Sequence, residues 1–107
     1  MPQIRRYRRE NGRVPFDEWF AGLRSKLLKA EVAARLDMLE LGNFGDCNAV
    51  GQGVIELRIH SGGGFRIYCG RHGNDVVILL SAGGKSTQAA DILRARRFWA
   101  DWKRRNG

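Results

Sequence analysis

Val54-Ile55-Glu56-Leu57-Arg58-Ile59-His60 and Phe65-Arg66-Ile67-Tyr68-Cys69, separated by Ser61-Gly62-Gly63-Gly64, decide the fold. In both runs apolar and polar residues alternate, the period of a strand that buries one face. The glycine-rich link reads as the connection of a β-hairpin. Setting Ile59 opposite Ile67 and Leu57 opposite Cys69 keeps the apolar side chains on one face, and a one-residue slip would mix the faces. That register places Arg58 across from Tyr68, and His60 across from Arg66, on the polar face.

Working outward, residues 70–74 form a turn, and residues 76–81 are continuously apolar, as in a central strand covered on both faces. After Gly83-Gly84, Ser86 is the expected cap of a last helix over residues 88–105. Its apolar stripe is Ile92, Ala95, Trp99 and Trp102, and Arg94, Arg97, Lys103 and Arg104 lie outside that stripe. Upstream, residues 43–53 are glycine-rich and read as a loop. Residues 3–9 suit an edge strand, and Asn11-Gly12 a turn. Pro15 suits the first position of a helix over residues 15–24, with Asp17 and Glu18 in the turn where the dipole favours anions. Ser25 caps a second helix striped by Leu28, Val32, Leu36 and Leu39, which Gly42-Asn43 ends. Two helices joined so closely are expected to pack as a hairpin.

The order β-α-α-β-β-β-α predicts an α+β domain spanning residues 1–107. Its helical hairpin is expected to pack on a mainly antiparallel four-stranded sheet in two layers, followed by a C-terminal helix.

In 107 residues, 19 Lys and Arg stand against 11 Asp and Glu, a net charge of +8. Such a field draws polyanions, nucleic acid first, and an acidic protein or membrane surface after it. Most of the cations are Arg, whose fork binds phosphate oxygens in pairs. A basic surface that serves solubility alone is the competing reading. Two cysteines, Cys47 and Cys69, are too few for a disulfide scaffold or a thiolate zinc site, and Cys69 reads as a buried, inert thiol. The N-terminus MPQIRRYRRE lacks a signal peptide's apolar core, and no apolar run approaches the ~18–20 residues of a membrane span. The expected location is the cytoplasm, with no membrane partner, no metal and no small-molecule cofactor.

The polar face of the hairpin gathers the candidate chemistry. Arg58 and Arg66 would repel one another unless an anion such as a phosphate lay between them. RNA cleavage by its own 2′-hydroxyl needs a base, stabilisation of the phosphorane and an acid for the leaving oxygen. Arg58 and Arg66 fit the second role. Tyr68 could stack a base or move a proton, and Lys85 could serve as base. His60, Arg71, Arg94 and Arg97 are candidate RNA contacts. This reading requires the cluster to face solvent as one patch. The plain alternative is an ordinary strand surface on which Glu56 forms a weak exposed ion pair with a neighbouring Arg. Trp99 and Trp102 stand at core spacing, and His72 reads as exposed and idle.

The strings Leu41-Gly42-Asn43-Phe44-Gly45-Asp46, Glu56-Leu57-Arg58-Ile59, Gly64-Phe65-Arg66-Ile67-Tyr68 and Gly83-Gly84-Lys85-Ser86-Thr87-Gln88-Ala89-Ala90-Asp91-Ile92 resemble the addiction-module killer proteins. These are toxins of the RelE/ParE superfamily, in a HigB-like branch related to a phage protein. The resemblance covers nearly the whole chain and implies a RelE-like fold and a type II toxin–antitoxin system. The partner it implies is a small helix-turn-helix antitoxin, and the substrate mRNA on the ribosome, cut without metal. Carried onto this chain, the family's site falls on Arg58, Arg66, Tyr68 and Lys85. Relatives often carry a Tyr, His or Arg near the C-terminus that helps the reaction, whereas here that stretch holds Trp99 and Trp102. The ParE branch shares the fold but poisons DNA gyrase, and a non-catalytic nucleic-acid-binding module is a third possibility.

Overall fold

The computed structural model describes residues 1–59 and 64–107, so His60 and most of the hairpin link lie outside the described residues. The elements are β1 (Gln3–Arg6), α1 (Pro15–Ala21), α2 (Lys26–Glu40), β2 (Cys47–Ala49), β3 (Val54–Ile59), β4 (Phe65–His72), β5 (Val76–Gly83) and α3 (Gln88–Asn106). Pro15 opens α1 with Asp17 and Glu18 in the first turn. The Ser25 hydroxyl accepts the Leu28 backbone N–H at 3.1 Å and starts α2. Gly42, at φ +84°, follows the end of α2 in the left-handed region that glycine adopts freely.

The result is an α+β domain, but its sheet has five strands rather than four, ordered β1-β5-β4-β3-β2. The additional strand, β2, lies within the segment expected to be a loop and pairs antiparallel with β3, Cys47 opposite Leu57. Its residues are all exposed, so no alternation marks it. β1 is an edge strand as expected and runs parallel to β5. The remaining pairings are antiparallel.

The hairpin register also differs from expectation. Leu57 pairs with Ile67 and Ile55 with Cys69, so Arg58 stands opposite Arg66, and Glu56 opposite Tyr68. The shift from the expected pairing is two residues. It preserves which face each side chain occupies, which is why alternation alone could not exclude it.

The larger correction concerns layers. Leu57, Ile59, Ile67, Cys69, Val77 and Leu79 face Phe16, Leu28, Val32 and Leu39 of α1 and α2. On the opposite face, Val54, Tyr68, Ile78 and Leu80 meet Tyr7 and Ala95, Phe98 and Trp99 of α3. Helices therefore cover both faces, and the two-layer expectation fails. Its physical reason was already present in β5, whose consecutive Val77, Ile78, Leu79 and Leu80 are all buried and need cover on both sides.

Two glycines permit α3 to lie so close. A Cβ on Gly70 would fall 2.4 Å from the Trp99 ring, and one on Gly83 would fall 1.9 Å from the Asp91 carboxylate. A shift of register beside Tyr68/Cys69 marks a bulge between β4 and β5. At the start of α3, Ser86 is not the cap: a single 3-10 turn, Lys85–Thr87, precedes Gln88, and the Thr87 hydroxyl donates to Asp91 Oδ2 at 2.6 Å.

Candidate functional site

Adjacent strands bring Arg58 and Arg66 directly opposite one another. Both guanidinium groups turn toward the same carboxylate. Arg58 Nε lies 3.7 Å from Glu56 Oε1 and Arg66 Nε 3.6 Å from Glu56 Oε2. Glu56 is only 1% exposed, so this is not the weak surface pair of the plain reading. A carboxylate so buried requires partners, and a third is the Gln88 side-chain amide of α3, which donates at 2.9 Å.

The arginines differ in freedom. The Arg58 side chain is 43% exposed and that of Arg66 13%. Arg66 is also fixed by donating to the Gly64 carbonyl at 2.7 Å. Arg58, Ile59, Gly64, Phe65 and Arg66 line an open cleft of about 270 Å³. Lys85 is exposed beside it: a Cβ built on Gly64 would meet the Lys85 Cβ at 3.4 Å and an Arg66 guanidinium nitrogen at 3.7 Å. Two arginines and a lysine thus accompany one buried carboxylate, an excess of positive charge at a solvent-facing cleft.

Tyr68 does not join that surface. It is 0% exposed, covered by α3, and the expectation that it faces solvent with Arg58 and Arg66 is overturned. Burial, then the Glu56 and Asp91 carboxylates, push its phenol well above the ordinary value, so it holds its proton at neutral pH. Its hydroxyl, the Ser81 hydroxyl and Arg66 Nε are buried with no hydrogen-bond partner among the described residues. Ser81 is the cross-strand neighbour of Tyr68 on β5. A polar cluster therefore lies under the first turn of α3, immediately behind the cleft.

The other candidates scatter. Arg71 lies over the Phe44 ring at 5.2 Å and contacts Asn74, away from the pair. Arg94 lies over the Phe98 ring at 5.4 Å and 3.8 Å from Asp91. Arg97 is exposed on a separate groove between α3 and the N-terminal segment. His60 falls outside the described residues. Cys69 is buried as expected, its thiol pushed up to about 12 by burial. Trp99 is buried and stacks on Trp102, with ring centroids 5.2 Å apart. His72 is exposed but lies edge-on to Trp102 at 5.3 Å. Among the described residues no group of three or more His, Cys, Asp or Glu side chains gathers as a metal site.

Sequence reasoning missed Glu56 as the hub and Gln88, Thr87 and Asp91 as its neighbours. The available signal was the apolar β5: a helix covering the second face had to start beside the ends of β3 and β4.

The chain belongs to the Gp49-like family of phage-derived proteins: residues 18–97 match the family described as "Phage derived protein Gp49-like (DUF891)". An uncharacterized protein of Haemophilus influenzae is 44% identical over 83 residues, which span 78% of this chain and 84% of the relative. Glu56, Arg58, Arg66, Lys85 and Gln88 all fall inside the family stretch. No helix among the described residues is long and apolar enough to cross a membrane.

Proposed function

We propose that this protein is the toxin of an addiction module, of the RelE-like kind, acting on RNA in the cytoplasm and neutralised by a small helix-turn-helix antitoxin. The observation that carries the reading is the facing Arg58–Arg66 pair, held by one buried carboxylate at the edge of an open cleft. A phosphodiester bound there meets one guanidinium fork, that of Arg66, already held by Gly64 and Glu56. The freer fork of Arg58 can close onto it.

In the reaction, the 2′-oxygen bonds to phosphorus while the bond to the 5′-oxygen breaks. The 2′-hydroxyl proton leaves to a base, and the 5′-oxygen receives one. Arg58 and Arg66 hold the non-bridging oxygens as charge builds on them. Among the described residues, the exposed Lys85 amine beside the cleft is the candidate base. Glu56 acts through the arginines as a positioning residue. Tyr68, sealed beneath α3, takes no part in contact with RNA.

The cluster expected to face solvent as one patch thus loses Tyr68, and the ribonuclease reading rests on Arg58, Arg66 and Lys85 alone. The sealing of Tyr68 favours a second reading, in which the cleft grips its target without cutting it, as a gyrase inhibitor of the ParE kind would. Primer extension on cellular transcripts after brief induction separates the two. The ribonuclease reading expects new 5′ ends in mRNA during translation, lost together with growth arrest in Arg66→Ala, with Arg58→Ala as a second variant and thermal unfolding confirming that both fold. Unchanged toxicity in both variants overturns it. Intact mRNA with blocked supercoiling by purified gyrase establishes the second reading instead.

A further inference from the structure

A groove of about 440 Å³, larger than the arginine cleft, lies between the chain leaving β1 and the outer half of α3. Arg9, Glu10, Arg97, Phe98, Asp101 and Arg104 line it. Its two carboxylates are already engaged. Asp101 pairs with Arg104 and Arg105 and accepts the Tyr7 hydroxyl at 2.6 Å, and Glu10 pairs with Arg104 at 3.2 Å. Arg9 and Arg97 have no carboxylate within ion-pair distance among the described residues. Arg9 lies over the Phe98 ring at 5.7 Å, opening onto the same groove.

We propose that this groove is a second contact for single-stranded RNA, taking phosphates of the strand whose scissile bond lies in the Arg58–Arg66 cleft. The proposal rests on the RNA reading above and extends it to the length and path of the substrate. α3 supplies the path. Gln88 at its start touches Glu56 behind the cleft, and at 1.5 Å per residue Arg94, Arg97 and Arg104 follow at roughly 9, 13 and 24 Å along the axis. Arg94 is held by Asp91, and Arg104 by Asp101 and Glu10. At about 100° per residue, Arg97 sits on the side of α3 turned away from Gln88. A strand leaving the cleft therefore rounds the start of α3 before it meets Arg97 and Arg9. Guanidinium forks suit phosphate oxygens. An acidic protein is the competing occupant, but docking surfaces for proteins centre on exposed apolar anchors. Met1, Leu27, Met38, Leu41 and Leu93, the exposed large apolar residues, do not line this groove. Of the groove's six named residues, all but Arg97 lie outside the stretch by which the chain matches its family.

The test measures binding of labelled single-stranded RNA of two lengths, one confined to the cleft and one long enough to reach the groove, to the full chain across a salt series. The variants are Arg97→Glu and Arg9→Glu, with Arg24→Glu, at the exposed end of the α1–α2 connection, as a control for net charge. Each groove variant is expected to weaken the long RNA about tenfold and lower the salt slope by about one. The short RNA loses no more affinity than it does in Arg24→Glu. A loss on the long RNA no greater than that of Arg24→Glu overturns the proposal. So does loss of poly-glutamate binding with RNA binding intact, which assigns the groove to an acidic protein. If the affinity losses appear while the unsubstituted protein cuts no RNA, the groove stands and the ribonuclease reading fails.

Discussion

The two faces of the sheet are held in different ways. Against α1 and α2 the buried residues are apolar with the one exception of the inert Cys69 thiol, Leu57, Ile67, Val77 and Leu79 meeting Phe16, Val32 and Leu39. Against α3 the covered face is divided. Its outer half is an aromatic cluster of Tyr7, Phe98, Trp99 and Trp102, and its inner half contains Glu56, Tyr68, Ser81 and Asp91. The hairpin face is stabilised mainly by buried apolar area, which tolerates imprecise geometry. Its polar strut, Arg35 of α2, donates to the Arg58, Phe44 and Asp46 carbonyls, and its Nε is buried without a hydrogen-bond partner among the described residues. The α3 face buries polar groups that need partners, and three of its polar atoms lack one. Unmet hydrogen bonds cost about 1–3 kcal/mol each in the interior. A fold retains such groups where chemistry or specificity uses them, and here they lie directly behind the charged cleft.

Substitutions sharpen that contrast. Leu57→Ala on the hairpin face is expected to give the largest loss, about 3 kcal/mol in denaturant unfolding, because it empties a fully buried site. A loss below about 1 kcal/mol would show that face to be loosely packed. Gly70→Ala on the α3 face is expected to cost about 2 kcal/mol, because the added methyl meets the Trp99 ring and must push α3 outward. Trp fluorescence should report that movement. Unaltered fluorescence and stability would mean that α3 is not seated there.

Alkaline pH probes both faces together. Cys69 and Tyr68 are buried neutral, with folded-state values raised above the ordinary 9.0 and 10.0. Their contribution is therefore complete below those ordinary values and is lost as pH rises from them toward the raised folded ones. The loss should approach 1.4 kcal/mol per pH unit per group in that window. Cys69→Ala should remove the portion that begins near 9.0, and a loss unchanged in that variant would assign it to other groups. The smallest effect is expected from Tyr68→Phe, which deletes an unpartnered hydroxyl and should change stability by less than about 1 kcal/mol, in the stabilising direction. A loss of about 2 kcal/mol or more would show that the hydroxyl has a partner.

Some of this was legible in the residues themselves. Pro15, Ser25 and Gly42 placed the helix boundaries because capping and backbone freedom are local properties. Alternation in β3 and β4 assigned each side chain to its face, since the strand period is two. The facing of Arg58 and Arg66 toward one region followed from that parity.

Other features needed the assembled chain. A two-residue change of register leaves parity untouched, so only tertiary packing decided that Arg58, and not His60, faces Arg66. Polarity suggested that Glu56 and Tyr68 were wet. They are buried because α3 had to cover Ile78 and Leu80, and a helix that covers those residues also covers their neighbours. Thus the chain's local chemistry determined most of the elements, their faces and a net charge of +8. Which polar groups meet water was decided by where a distant helix came to rest, because burial depends on everything packed around a residue rather than on the residue alone.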